Sequence, residues 1–333
     1  MKLPILLLPV LLLPGLARAG ESGEFAVAAP AWFSETFLDF REDVRDAARS
    51  GKRLVIYFGQ DGCPYCKELM LNNFSQKAIA DKARRHFIAI AINIWGDRDV
   101  TWLDGRTLRE KEFAAFLKIQ FTPTLLFLDE RGRVAARLNG YYPPHRLEAV
   151  LDWVAGRMEK RIPLAEYLRT SVREAGSERL HDEPFFLNPP YDLRRRGGKP
   201  LAVLFETPSC AGCDELHRDG FRRSEVQQLL ARFDVARFAL GERTRVVTPG
   251  GKALAAEDWA RALGIAYTPS IVFFGADGKE AFRIEAYLRP FHLASSLDYV
   301  ASGAYRREPN FQRFVQTRAQ AMRGRGEPVD LWR

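Results

Sequence analysis

The chain has 333 residues, 47% hydrophobic and 12% aromatic, enough for two ordinary domains with real cores and too much to assume one. Its four cysteines, Cys63, Cys66, Cys210 and Cys213, all fall in CxxC pairs, which excludes a framework of stapling disulfides. The formal net charge of +8 would suit nucleic acid, but basic and acidic residues interleave along most of the chain. The densest basic clusters, Arg194-Arg195-Arg196 and Arg306-Arg307, sit beside loop-like residues, so a solvated surface is expected and no nucleic-acid partner.

Residues 1–19 read as a secretory signal peptide. Lys2 supplies the positive end, residues 5–13 a short apolar stretch, and Ala17-Arg18-Ala19 an A-x-A cleavage site. The stretch is too short and too proline-rich for a membrane span, and no cysteine follows it to carry a lipid. The expected mature protein therefore has no membrane anchor. Export with so few cysteines points to a bacterial periplasm, where such thiols are catalytic more often than structural.

Residues 31–50 show helical spacing at Phe33, Phe37, Phe40, Val44 and Ala47, predicting a helix that stops at Gly51. The apolar run 54–58 predicts a strand. Gln60-Asp61-Gly62-Cys63-Pro64-Tyr65-Cys66-Lys67 follows, then a helix over 68–74. Residues 87–94 read as a second buried strand, 95–106 as a polar loop with aromatic members, and 110–117 as a helix. Thr122-Pro123 opens a third strand, a turn at Glu130-Arg131-Gly132 leads to a fourth over 134–138, and a helix over 145–154 closes the unit.

Two thiols three positions apart, at a strand-to-helix turn, can close into a disulfide. The unpaired N–H groups and partial positive charge of a helix N-terminus favour thiolate on Cys63, and thiolate is the nucleophile of disulfide exchange. A lone CxxC is also half a zinc site or a chance spacing. The strand–CxxC–helix context favours a redox pair.

The motif recurs. Cys63-Pro64-Tyr65-Cys66 and Cys210-Ala211-Gly212-Cys213 are offset by 147 residues, and Thr122-Pro123 and Thr268-Pro269 by 146. The strands 54–58 and 201–205 correspond, as do the closing helices. The echo continues past the unit, where Leu164, Tyr167 and Thr170 meet Phe311, Phe314 and Thr317. This predicts two copies of one module: domain 1 over 30–160, a linker with a short helix over 161–197, domain 2 over 198–305, and a basic, partly helical tail over 306–333. The tail is expected to pack back on the second module.

CxxC at a strand-to-helix turn, followed some sixty residues later by Thr-Pro, resembles the thioredoxin superfamily, and within it exported SoxW-type thioredoxin-like proteins. The resemblance covers nearly all of the mature chain, twice. It implies an α/β fold of two tandem thioredoxin-like domains, each a mixed central sheet flanked by helices. It implies that Pro123 and Pro269 are cis and face Cys63 and Cys210, with the backbone of Thr122 or Thr268 free to pair with an extended substrate segment. The implied activity is thiol–disulfide exchange with no cofactor beyond the cysteine pairs. Its implied partners are protein disulfides and a membrane or periplasmic thiol electron donor. Cys63 attacks a substrate disulfide, and Cys66 then resolves the mixed disulfide; Cys210 and Cys213 have matching parts. Reduction or electron relay is the expected direction.

Flanking residues should set the two pairs apart. Pro64-Tyr65 resembles the glutaredoxin dipeptide, and the cation of Lys67 favours thiolate. Asp214 and Glu215 disfavour it beside the second pair, so Cys63 is expected to have the lower pKa and its pair to be the more oxidising. The chain departs from thioredoxin where a buried aspartate would stand, with Tyr57 in one copy and Leu204 in the other. Glu206 lies two residues on. Gly62 and Ser209 replace the tryptophan before the first cysteine.

Other chemistries fit less well. Haem attachment needs CxxCH, and Lys67 and Asp214 hold the His positions. A Cys₄ zinc site needs both pairs to meet. Copper handling wants a nearby histidine: His217 lies one helical turn past Cys213, but Met70 stands in the matching place, and a surface histidine is expected. His86, His145, His181 and His292 have no ligand spacing and read as structural or exposed. A scaffold or binding protein with one silent copy, the second being the candidate, is the remaining alternative.

Overall fold

A computed structural model describes residues 28–172, 174–194 and 198–331. The expected signal peptide, Arg195 and Arg196, and the final Trp332-Arg333 lie outside them. In chain order, the first unit comprises α1 (Phe40–Arg49), β1 (Arg53–Gly59), α2 (Pro64–Glu68) running into a π-helical turn (Leu69–Asn73), α3 (Lys77–His86), β2 (Phe87–Asn93), β3 (Asp99–Thr101), β4 (Thr107–Arg109), α4 (Glu110–Phe116), β5 (Thr124–Leu128), β6 (Val134–Asn139) and α5 (Pro144–Ala155). A trailing helix, α6 (Leu164–Ser171), follows. The second unit repeats the plan with β7 (Tyr191–Asp192), β8 (Leu201–Glu206), α7 (Ala211–Arg218), α8 (Ser224–Leu230), β9 (Asp234–Ala239), β10 (Arg245–Val247), β11 (Ala253–Ala255), α9 (Ala256–Ala262), β12 (Ser270–Phe274), β13 (Glu280–Ile284), α10 (Pro290–Ala301) and its own trailing helix α11 (Phe311–Gly324).

The two four-stranded sheets share one topology, β2-β1-β5-β6 and β9-β8-β12-β13. In each, the first strand pairs in parallel with the second and antiparallel with the third. The chain thus folds as two tandem thioredoxin-like domains. β1 is buried along its whole length because helices cover both faces of the sheet, which is why it reads as a continuous apolar run. Alternate side chains serve opposite layers: Leu54, Ile56 and Phe58 pack with α1 and α4, whereas Val55 and Tyr57 pack towards the CxxC helix and α5.

Three local expectations are corrected. The first helix starts at Phe40, not near residue 31. Asp39 is its N-cap and accepts the Arg41 N–H, and starting there buries Phe40, Val44 and Ala47. Phe37 is 99% exposed, while Trp32 and Phe33 turn in against Phe74. The loop over 95–106 contributes to a small hairpin, β3–β4. The irregular join includes β7, which pairs in parallel with β10 of the second unit.

The fourth correction concerns how the units meet. α11 packs on α10 of its own unit but also on the first unit. Phe311 N–H donates to Gln120 Oε1, the Gln312 amide donates to Gln120 O, both at 2.9 Å, and the Phe311 ring lies 5.3 Å from that of Phe121. Phe121 also meets Phe282 at 5.4 Å, Tyr142 meets Tyr267 at 4.3 Å, and the Arg146 guanidinium sits 4.5 Å over the Tyr267 ring. Each aromatic pair contributes about 0.5–1.5 kcal/mol beyond its buried area. One apolar core runs through both units. Among the described residues, no helix is long and apolar enough to cross a membrane.

Candidate functional site

Each CxxC is closed as a disulfide, Cys63–Cys66 and Cys210–Cys213. The first cysteine of each pair is the N-cap of its helix, α2 or α7. Cys66 N–H donates to Cys63 Sγ at 3.0 Å, and Cys213 N–H to Cys210 Sγ at 3.1 Å. Pro64 occupies the first helical position, where a missing N–H costs nothing. When a pair is reduced, these N–H groups and the helix terminus stabilise negative charge on the first sulfur.

The Thr122–Pro123 and Thr268–Pro269 bonds are cis, and Thr122 abuts the first disulfide. Cys63 Sγ lies 3.4 Å from Thr122 O. In the second copy, a side chain built on Gly212 would reach within 3.2 Å of Pro269 Cδ, so the CxxC turn rests on that proline. Thr122 Oγ1 accepts from the Gln60 amide at 3.0 Å, and Thr268 Oγ1 bonds Thr207 Oγ1 at 3.1 Å. The four sulfurs do not converge, and the described residues hold no group of three or more His, Cys, Asp or Glu suited to a metal.

The sequence did not reveal that the other unit's trailing helix stands beside each CxxC turn. A pocket of about 150 Å³ beside Cys63 and Thr122 has Gln312, Val315 and Ala319 of α11 as its far wall. A pocket of about 310 Å³ beside Ser209 and Thr268 has Ala165, Leu168 and Arg169 of α6. Cys63 is 4% exposed and Cys210 only 1%. The signal was the echo of Leu164, Tyr167 and Thr170 in Phe311, Phe314 and Thr317. A repeat that extends beyond the domain needs a structural use, and here the use is reciprocal.

The second site is covered further by the segment 174–181. Ser209 N–H donates to Ser177 O at 2.7 Å, and a side chain on Gly176 would come within 2.7 Å of Cys210 N, so only glycine passes there. Glu174 accepts Ala211 N–H at 3.2 Å, at the N-terminus of α7, and also pairs with Arg146 and His145. Burial alone would raise the Glu174 carboxyl, but Arg146 and His145 outweigh it and keep it anionic.

The flanking residues have roles that their identities did not disclose. Asp214 accepts Ser177 N–H at 3.0 Å and bonds His181 Nε2 at 2.7 Å, so it pins the covering segment. Burial pushes its carboxyl up, but His181, Ser177 and Arg218 together hold it below the usual range. Glu215 is exposed at the rim of a pocket of about 240 Å³ between the units, which it shares with Tyr65 and Gly212. Tyr65 is buried there: its hydroxyl accepts Arg289 N–H at 2.9 Å and lies 3.5 Å from His292 Nδ1. Lys67 is half-buried in the last turn of α2.

His217 is no surface residue. It is 1% exposed, with Nδ1 2.9 Å from Glu183 Oε1 and Nε2 3.0 Å from Glu206 Oε1. Burial alone would lower its pKa, but the two carboxylates outweigh that and raise it. The first unit fills this place without charge. Met70 takes the His217 position, and a side chain on Gly59, which replaces Glu206, would collide with the Tyr57 hydroxyl.

A sequence model described as a thioredoxin-like domain matches residues 40–155 and again 193–301. No curated protein matches the chain. Among solved structures, a thioredoxin-fold protein from Helicobacter pylori is 25% identical over 40% of this chain and 91% of its own, with a TM-score of 0.30. A Thermus thermophilus thioredoxin is 21% identical over 35% and 83%, with a TM-score of 0.28. The C-terminal domain of Neisseria meningitidis DsbD in the oxidised form is 16% identical over 38% and 98%, with a TM-score of 0.27.

Proposed function

Because the chain belongs to the thioredoxin-like family, through two successive copies of its domain, we propose that it is an exported thiol–disulfide oxidoreductase. The observation that carries this reading is the pairing, in each copy, of a helix-capping CxxC disulfide with a Thr–cis-Pro at its side. Cys63 and Cys210 are the attacking sulfurs and Cys66 and Cys213 the resolving ones. In the reducing direction, Cys63 thiolate attacks one sulfur of a disulfide, and the other sulfur leaves as thiol after protonation. Cys66 then attacks Cys63, closing the 63–66 disulfide and releasing the second thiol. Two electrons pass to the substrate, and a thiol donor restores the dithiol.

The periplasm is the proposed compartment, on the strength of the signal-like residues 1–19 and the sparse cysteines. Reduction or relay is the proposed direction, with protein disulfides as substrates and a membrane or periplasmic dithiol as donor. Working domain limits of 30–160 and 198–305 follow from the internal repeat. The SoxW-type likeness belongs to this same reading.

One observation favours a second reading for the second copy. The segment 174–181 closes over Cys210, with α6 across the pocket from Ser209, which suits a scaffold whose own disulfide turns over slowly.

Trapping tests both. Cys66→Ser should accumulate mixed disulfides at Cys63, and Cys213→Ser should accumulate fewer at Cys210, while a Cys63→Ser/Cys210→Ser chain should accumulate none. A wild-type chain whose disulfides resist dithiothreitol, and whose variants capture nothing, sinks the oxidoreductase reading.

A further inference from the structure

Resting on that reading of Cys63, we propose that the first site, besides protein disulfides, takes a small, zwitterionic disulfide of the amino-acid type, bearing both an ammonium and a carboxylate group. The approach over Thr122 is closed by the α11 wall. Gln312 is hydrogen-bonded to Gln60 at 2.7 Å and to Gln120 O at 2.9 Å, and Gln60 in turn holds Thr122 Oγ1. While α11 is seated, a protein disulfide must displace the helix to lie along that face, whereas a small disulfide need not. What remains is the pocket of about 150 Å³, well under the roughly 300–1,000 Å³ of pockets that enclose larger ligands.

The chemistry of its lining is specific. Cys63 stands on one side, and Leu288, Val315 and Ala319 give apolar contact. On α11, Gln316, Gln320 and Arg323 succeed one another at helical spacing and reach the same rim. Their side chains have no hydrogen-bond or ion-pair partner among the described residues. Asp61, on the turn before Cys63, lines the pocket too and is likewise unpartnered. The histidine there, His292, is held neutral by burial and by Arg318, its pKa lowered to about 4. Two opposite, unspent charges therefore face a reactive sulfur across a small cavity. A guanidinium forks onto a carboxylate, an exposed carboxylate attracts an ammonium, and glutamine amides suit the polar edges of an amino acid.

The reaction is the exchange already written: one disulfide RSSR and the Cys63–Cys66 dithiol give two thiols RSH and the 63–66 disulfide, with an external dithiol as the reductant. The chain takes no other co-reactant.

Four disulfides of similar size separate the charges: cystine carries both groups, cystamine only ammonium, 3,3′-dithiodipropionate only carboxylate, and bis(2-hydroxyethyl) disulfide neither. Single-turnover rates are measured on the full chain with Cys210 and Cys213 replaced by Ser, reduced beforehand with dithiothreitol. Each rate is divided by that for the uncharged compound on the same variant, which removes any change in Cys63 reactivity. Cystine is expected to be preferred. Arg323→Gln should cut its advantage about threefold and leave the cystamine ratio unchanged, and Asp61→Asn should cut it similarly and spare the dithiodipropionate ratio, as expected for exposed ion pairs. Equal ratios for all four compounds, or ratios unmoved by either substitution, overturn the inference while leaving the oxidoreductase reading intact. Failure to exchange with any of the four overturns the inference, and failure of the same reduced chain with a protein disulfide such as that of insulin as well overturns both.

Discussion

The side-chain amide of Gln60 donates to Gln312 Oε1 at 2.7 Å, joining residues 252 positions apart. Gln60 sits three residues before Cys63, and Gln312 is in the first turn of α11 at the far end of the chain. The same Gln60 amide reaches Thr122 Oγ1, so one side chain links the CxxC turn, the cis-proline loop and the helix that walls them. The trailing helix is thereby part of the site.

Gln312→Ala should loosen that wall. Losing its bonds to Gln60 and Gln120 is expected to cost about 1–2 kcal/mol of stability. It should also speed dithiothreitol reduction of Cys63–Cys66 several-fold, with Cys210–Cys213 unaffected. Alkylation followed by peptide mass analysis resolves the two pairs, and equal rates in variant and wild type would show that α11 does not control access.

The first cysteines should titrate apart. Around Cys210 lie Glu174 on the helix N-terminus and the anionic Asp214, whereas near Cys63 the exposed Asp61 on the preceding turn is offset by Lys67 in the last turn of α2, whose opening turn has no acid. Negative charge near a thiol disfavours thiolate. Following thiolate absorbance against pH in chains retaining one reduced pair, Cys63 should ionise at lower pH than Cys210. The reverse order refutes the electrostatic account.

His217 should matter most for stability in the second unit. Removing it by His217→Leu leaves Glu183 and Glu206 buried together without their shared partner, a loss expected at about 3 kcal/mol or more. The pH dependence has a definite sign. Because the folded-state pKa of His217 is raised, the stability it contributes is fully present below its unfolded value near 6.5 and is lost as pH rises through the folded value. Denaturant unfolding should show a larger deficit for the variant at pH 6 than at high pH, and a deficit independent of pH would refute the charged pairing.

Asp43 should behave oppositely to a paired carboxylate. It is buried on α1, and burial raises its pKa to about 6 despite a 3.3 Å hydrogen bond from Thr36 Oγ1. The folded chain prefers it protonated, so stability is fully present below pH ~4 and lost as pH rises through about 6. Asp43→Asn should therefore stabilise the protein at pH 8, by up to about 2 kcal/mol, and do little at pH 4. Thermal unfolding at the two pH values decides it.

Much of this protein was legible in its sequence because the signals are local or periodic. Strands buried on both faces show as apolar runs, as 54–58 does for β1, and the 147-residue offset of Cys63 and Cys210 exposed the duplication. A capping cysteine followed by proline is readable for the same reason, since neighbours in sequence set its geometry. Helical spacing misled at Phe33 and Phe37, where the Asp39 cap overrides it.

What only the tertiary structure decided is how the two copies face each other. Which helix stands beside which CxxC turn, why Glu174, Gln60 and Gln312 belong to the sites, and why His217 is buried between two carboxylates all depend on contacts between residues far apart in the chain. Sequence periodicity records the face that a helix turns inward. It carries no trace of which surface that face will meet, because apolar contact is non-directional and the choice falls to shape and polar pairing at the interface.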